Sequence, residues 1–130
     1  MRKFIIVASV IAALALHSAA NAGNRSTIAV IVYKSATSYA IGAVSTARYY
    51  TSDSSQYIGC SSSSDTVSSS YISCQARDAS GNYLYCYTTS ATDAAREAVA
   101  SVNTTSYIYF LVNASGQCSY ITVGNFSYYL

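Results

Sequence analysis

The sequence predicts a small α+β fold: an antiparallel β-sheet made of two hairpins plus N-terminal strands, with one helix packed on a face and disulfides stapling the whole. Three observations carry this. Two strand-like stretches run into the same kind of turn, at Asp78-Ala79-Ser80-Gly81 and at Asn113-Ala114-Ser115-Gly116. An alanine-rich segment with helical spacing, residues 93–102, lies between them. Four cysteines, Cys60, Cys74, Cys86 and Cys118, all fall well downstream of an export-like N-terminus. An even cysteine count in an exported chain implies two disulfides.

The chain opens MRKFIIVASVIAALALHSAANA. Arg2 and Lys3 give a charged start, residues 4–16 are mostly apolar, and Ala20-Asn21-Ala22 has the form of a cleavage site. Residues 1–22 therefore read as a secretory signal peptide. The apolar run is too short for a comfortable membrane span, and no cysteine follows it to carry a lipid. Cleavage would leave residues 23–130 as one small β-rich domain. That product would be secreted, periplasmic or at the cell surface, with no stable membrane anchor.

Cleavage would also remove the only Met and the only His, Met1 and His17. It leaves Arg25, Lys34, Arg48, Arg77 and Arg96 against Asp53, Asp65, Asp78, Asp93 and Glu97, so the +2 of the whole chain belongs to the leader. A neutral product gives no electrostatic case for nucleic acid or acidic lipid. It also lacks the repulsion that keeps copies apart, so self-association costs little.

Residues 27–33 (TIAVIVY) are a β-branched run, the pattern of a strand buried on both faces. Residues 39–44 predict a second short strand, with Gly42 at a bulge or close approach. Residues 48–55 are polar and fit a loop or a short helix in which Arg48 and Asp53 pair. Residues 56–60 read as a strand with Ile58 and Cys60 on one side and Tyr57 on the other. Residues 61–70 are nearly all serine and read as a solvated loop.

Residues 71–89 (YISCQARDASGNYLYCYTT) are the most specific stretch of the chain. Asp at the first and Gly at the fourth turn position fit a type I turn closed by a glycine bulge. Asp78 then faces Asn82, Arg77 faces Tyr83, and Cys74 faces Cys86. Alternation puts Ile72, Cys74, Ala76, Leu84, Cys86 and Thr88 on a core face. The opposite face carries Tyr71, Ser73, Gln75, Arg77, Tyr83, Tyr85, Tyr87 and Thr89.

Residues 90–93 offer helix N-caps, and Ala94, Ala95, Ala98, Val99 and Val102 line one face of the helix that follows. Glu97 follows Asp93 at one residue beyond capping-box spacing. Residues 106–112 (SYIYFLV) are the strongest strand, and residues 117–123 complete a second hairpin. Strict alternation puts Ile108, Phe110, Val112, Cys118 and Tyr120 on one side, and Tyr107, Tyr109, Leu111, Ile121 and Val123 on the other. Both sides are apolar, which predicts a more central place than the first hairpin has.

Ala47-Arg48, the run Gln56-Tyr57-Ile58-Gly59-Cys60, the three later cysteines and the Ser-Gly turns resemble a group of short exported bacterial proteins carrying the same run. The resemblance covers roughly residues 42–129. It implies export and a shared fold, and it implies no activity.

The processed chain has no imidazole, so Ser-His-Asp and Cys-His chemistry lacks its base. Its few carboxylates have local assignments, with Asp78 in a turn, Asp93 at a helix start and Asp65 in the serine stretch. No glycosidase pair is indicated. No P-loop or GxGxxG occurs. Zinc would need ligand spacing that is absent, since no CxxC pair and no His remain. The reading is therefore a protein that is not an enzyme and holds no cofactor and no metal.

All 14 tyrosines lie beyond the leader, with no Trp in the chain. Tyr gives rigid, amphipathic contact area at low entropic cost, and it is also a good residue for half-exposed strands. Tyr71, Tyr83, Tyr85 and Tyr87 are the candidate contact surface. The function that follows is a secreted, non-enzymatic surface or extracellular protein, binding or self-associating through tyrosine-rich strands. Its partners would be itself, a glycan or another extracellular protein. The alternative is an exported inhibitor or antagonist of another protein, using the serine stretch as its exposed loop.

Disulfide connectivity follows from hydrogen-bond alternation. If Asp78–Asn82 is a hydrogen-bonded pair, Cys74–Cys86 is hydrogen-bonded as well. Cβ atoms of such pairs sit toward the far end of about 4.5–5.5 Å, whereas a disulfide wants about 3.8 Å. Cys60 lies on the preceding strand, which can pair antiparallel with that of Cys74 around the serine stretch, and Cys118 lies on the second hairpin, across the helix from Cys86. Cys60–Cys74 with Cys86–Cys118 is therefore the expected connectivity, and Cys74–Cys86 with Cys60–Cys118 is the second choice.

Overall fold

The computed structural model describes residues 25–64 and 70–129. The expected leader, residues 1–22, lies outside the described residues. The fold is α+β, its strand ladders are antiparallel, and the strands divide into two sheets linked by one isolated parallel bridge between Tyr87 and Gln117. One sheet holds β1 (Ile31–Tyr33), β2 (Ser38–Ala43), β6 (Ser106–Val112) and β7 (Cys118–Asn125) in the order β1-β2-β6-β7. The other holds β3 (Tyr57–Ser64), β4 (Ser70–Arg77) and β5 (Tyr83–Thr88) in that order.

The inner faces of the two sheets share one core. Ala40, Ile108, Phe110 and Val112 come from the first sheet, and Ile58, Ile72, Cys74, Ala76, Leu84 and Cys86 from the second. The one regular α-helix among the described residues, α1 (Asp93–Ala100), packs against β3 of one sheet and β7 of the other and adds Val99 to the same core. Gly42 on β2 is a close approach, as the sequence predicts. A Cβ there would lie 3.0 Å from Val30 Cγ2 and 3.2 Å from Val30 Cα.

Both turns form as read. Gly81 and Gly116 have φ of +84° and +77°, the left-handed conformation that glycine adopts without cost. Asp78 N–H donates to Asn82 O at 3.0 Å, and Gly81 N–H donates to Asp78 O at 3.0 Å. Asn113 and Gln117 repeat the arrangement at 3.0 Å.

Several expectations are corrected. Residues 27–33 are not a strand buried on both faces. Only Ile31–Tyr33 pairs, at a sheet edge, with Val32 buried and Ile31 and Tyr33 each 52% exposed. The preceding backbone bonds elsewhere: Ile28 N–H donates to Thr46 Oγ1 at 3.1 Å and Val30 N–H to Gln56 Oε1 at 3.0 Å. The serine stretch is not one loop. Ser61–Ser64 pair with Ser70–Ser73, extending β3 and β4, and only residues 65–69 lie outside the described residues. A ladder needs backbone groups rather than apolar side chains, and a directly opposed disulfide just before the serines sets the register.

Residues 46–50 form a π-helical turn, and Arg48 does not pair with Asp53. Asp53 Oδ1 instead accepts from Ser55 N–H at 2.8 Å and Ser55 Oγ at 2.6 Å. The helix ends at Ala100, two residues short of the expected limit. Its cap is Thr92, whose side chain accepts from Ala95 N–H, while Asp93 pairs with Arg96 and makes no capping box with Glu97. Ala94 faces solvent.

The second hairpin departs from strict alternation. The β6–β7 register shifts between Leu111 and Val112, so Val112 opposes Cys118 while Leu111 opposes Tyr120. The extra residue, Ser119, flips the parity of β7. Cys118 therefore shares the inner side with Ile121 and Val123, and Tyr120 moves outward to 53% exposure. β6 is an inner strand as expected, but β7 is an edge.

Candidate contact surface

The outer face of β3-β4-β5 follows from strand parity and two registers. Burying Ile72, Cys74, Ala76, Leu84 and Cys86 forces their neighbours outward. Residues opposed across the strands then stand in rows: Tyr57–Arg77–Tyr83, Gly59–Gln75–Tyr85, Ser61–Ser73–Tyr87, and Ser63–Tyr71. Tyr83, Tyr85 and Tyr87 form a column on β5 and are 42%, 46% and 50% exposed. The Tyr85 and Tyr87 rings are near-parallel, with centroids 6.5 Å apart.

The rest of the face is polar and shallow. A Cβ on Gly59 would meet nothing within 4 Å, so the middle row is open beside Gln75. Ser61 and Ser73 share a hydroxyl hydrogen bond of 3.0 Å. Gly59, Cys60, Ser61, Ser73 and Gln75 line a shallow depression between β3 and β4. Arg77 stands between Tyr57 and Tyr83, with its guanidinium turned toward Gly81. Burial raises the Tyr83 hydroxyl above its ordinary pKa, and the neighbouring phenols of Tyr57 and Tyr85 add to this.

The frame beneath is fixed by its turn and its sulfurs. Asp78 Oδ1 accepts from Asn82 N–H and Oδ2 from Asn82 Nδ2, each at 2.9 Å. Burial alone would push the Asp78 carboxyl up. Hydrogen bonds from the Asn82 side chain and backbone, and from the backbone of Val32 and Ser80, outweigh it and hold the group below its usual range. Cys60–Cys74 joins β3 to β4, and Cys86–Cys118 joins the two sheets. The sulfurs of Cys74, Cys86 and Cys118 lie within 4.8 Å of one another, but every cysteine is in a disulfide, so the cluster is two adjacent bridges with no thiolate to offer a metal.

The tyrosine column thus stands where the sequence places it. Tyr71 is also exposed, at 45%, but it sits on β4 at the far end of the face. Tyr57 belongs to the surface as well, although by sequence it reads only as the side of a short strand opposite Ile58 and Cys60. The Cys60–Cys74 pairing held the signal: with those two opposed, Tyr57 must oppose Arg77.

The outer face of the four-stranded sheet carries a second aromatic array. Tyr33, Tyr39, Leu111 and Tyr120 form one row, and Ile31, Ile41, Tyr109 and Thr122 the next. Ring centroids step from Tyr33 to Tyr39 at 5.2 Å, on to Tyr109 at 5.9 Å and to Tyr120 at 6.0 Å. One end of this face is covered by the C-terminal turn Ser127–Tyr129. Tyr129 stacks on Tyr107 at 6.1 Å, and the Phe126 ring lies against Gly124.

A polar cleft beside the π-helical turn is lined by Arg48, Thr51, Asp53 and Gln56. Asp53 and Gln56 already accept hydrogen bonds from Ser55 and Val30 there. Among the described residues no helix is long and apolar enough to cross a membrane. The chain matches no protein-family model, no curated protein and no solved structure.

Proposed function

We propose that this is an exported bacterial protein of the extracellular or periplasmic space, not an enzyme, that acts by contact through the outer face of β3-β4-β5. One observation carries the reading: three tyrosines in a column on a single strand, each 42–50% exposed, on a sheet whose other face is buried. Two disulfides hold that sheet rigid, so little order is lost on binding. Apart from Arg77, whose guanidinium turns toward Gly81 at one end, the face is uncharged and suits a neutral partner. Tyr rings offer flat apolar area, while Ser73, Gln75 and the phenols offer hydrogen bonds. A glycan, or a neutral patch on another extracellular protein, has the matching chemistry. The disulfides and the signal-peptide pattern of residues 1–22 support export.

The test is binding of the oxidised protein to a glycan array and to intact cells, beside a variant with Tyr83, Tyr85 and Tyr87 all changed to Ser. The wild type is expected to be retained and the variant lost, with the far-UV spectrum of the two unchanged. Retention that survives the triple change removes this face from the function. Absence of any retention by the wild type removes the contact reading itself.

A further inference from the structure

We propose that the four cysteines form a thiol–disulfide relay, in which a small thiol entering at one outer sulfur, Cys60 or Cys118, releases a thiol at the other. The sulfurs stand in the order this needs. Cys74 and Cys86 are the inner pair, directly opposed on β4 and β5 and only 1% and 0% exposed. Their bridge partners, Cys60 and Cys118, are the outer pair, on different sheets, and both are half-buried. The Sγ atoms of Cys74, Cys86 and Cys118 lie within 4.8 Å of one another. A thiolate formed at Cys74 therefore stands beside the second bridge before any strand moves.

The steps balance without an oxidant or a reductant. The thiolate of a small monothiol attacks Cys60 Sγ, forming a mixed disulfide there and breaking Cys60–Cys74, so that Cys74 leaves as a thiolate. That thiolate attacks Cys86 Sγ, forming Cys74–Cys86 and breaking Cys86–Cys118. Cys118 leaves as a thiolate and takes a proton from water. One thiol is consumed and one appears, and two disulfides remain, one of them to the monothiol. Entry at Cys118 runs the same exchange from the other end and frees Cys60.

Burial drives the second step. A charge on Cys74 is costly in the core, and passing it to half-buried Cys118 returns it toward water. Hydrogen-bonded opposition holds the Cβ atoms of Cys74 and Cys86 wide, which keeps their bridge out of the resting protein. Such pairs nonetheless have Cα atoms about 5.5 Å apart, inside the roughly 4.4–6.8 Å that a disulfide spans. The bridge can therefore close once Cys74 has lost Cys60. The relayed form has no disulfide between the sheets, because Cys86–Cys118 was that link. A monothiol thus unlocks the sheets from each other while β4 and β5 become stapled together.

The test treats the oxidised protein, as released by an exporting host, with an equimolar amount of glutathione at mildly alkaline pH. Acid quenching, thiol alkylation and non-reducing peptide mapping follow. The expected new species, absent before treatment, carries a Cys74–Cys86 peptide, with glutathione on one of Cys60 and Cys118 and the alkyl group on the other. The Cys60→Ala/Cys74→Ala double variant should release the Cys118 thiol at least about tenfold more slowly, because only direct attack on buried Cys86 then frees it. If that variant does not fold, the mapping of the wild type decides alone. The proposal is overturned by adducts that always leave the other bridge intact, by the absence of any adduct, or by a Cys118 release that the double variant does not slow. Cys60–Cys86, Cys60–Cys118 or Cys74–Cys118 peptides in place of Cys74–Cys86 also overturn it, since they mean scrambling rather than transfer between the opposed sulfurs.

Discussion

Cys74 and Cys86 stand directly opposite each other on β4 and β5 and are not bonded to each other. Each reaches away from its neighbour: Cys74 to Cys60 with Cα atoms 4.1 Å apart, Cys86 to Cys118 with Cα atoms 5.0 Å apart. The cause lies in the alternation of an antiparallel ladder. A residue of an inner strand points both of its backbone groups to the same side. The Asp78–Asn82 pair at the turn sends those of Cys74 toward Cys86, which leaves Cys60–Cys74 as the close, non-hydrogen-bonded pair.

The two bridges should contribute unequally. Cys60–Cys74 closes a separation of 14 residues within one sheet, and Cys86–Cys118 closes 32 and joins both sheets. From loop length alone, removing the first should cost about 3 kcal/mol and the second somewhat nearer 4 kcal/mol. Equilibrium urea unfolding of the Cys→Ala double variants measures both. Non-reducing peptide mapping should show the two linked pairs, and a Cys74–Cys86 peptide would contradict the fold described here.

Acid should loosen the first hairpin through Asp78. Its carboxyl is held below its usual value in the folded chain, so between the folded value and about 3.8 the unfolded chain binds more protons. The stabilisation is fully present above the unfolded value and disappears as pH falls through the folded one. Asp78→Ala should cost about 2 kcal/mol at neutral pH through the lost Asn82 bonds. It should also flatten the decline in melting temperature below pH 4. An unchanged acid limb would place the sensitivity at another carboxylate.

Two strand glycines should respond in opposite senses. At Gly42 a new Cβ meets the Val30 backbone at 3.2 Å and a Val30 methyl at 3.0 Å, where neither sheet nor core can yield easily. Gly42→Ala should destabilise by about 1–3 kcal/mol. At Gly59 nothing lies within 4 Å. Gly59→Ala should be neutral or add up to about 1 kcal/mol, since alanine loses less backbone entropy. Thermal melts of the two variants compare them directly, and equal effects would mean that β2 does not approach Val30 as closely as described.

What the sequence determined by itself was local. In residues 71–89, period-two alternation and an Asp-to-Gly turn act within a few residues of each other, so pairing, facing and exposure all followed, down to Tyr83, Tyr85 and Tyr87 pointing outward. Even the absence of a Cys74–Cys86 bridge was legible, because counting hydrogen bonds back from Asp78 requires no distant contact.

The tertiary structure decided whatever depended on distant partners. Residues 27–33 look doubly buried until the sheet stops at β1 and leaves Ile31 and Tyr33 without a cover. Ser61–Ser64 look like loop until β4 supplies a ladder. One extra residue at Ser119 reverses the facing of Tyr120 and Cys118, because side chains repeat every two residues and a single slip inverts them all. The partition into two sheets, with β2 inserted beside β6, rests on pairings between segments far apart in the chain. So does the gathering of Tyr33, Tyr39, Tyr109 and Tyr120 from four strands into one array, since propensity acts on neighbours in sequence and a sheet face is assembled from neighbours in space.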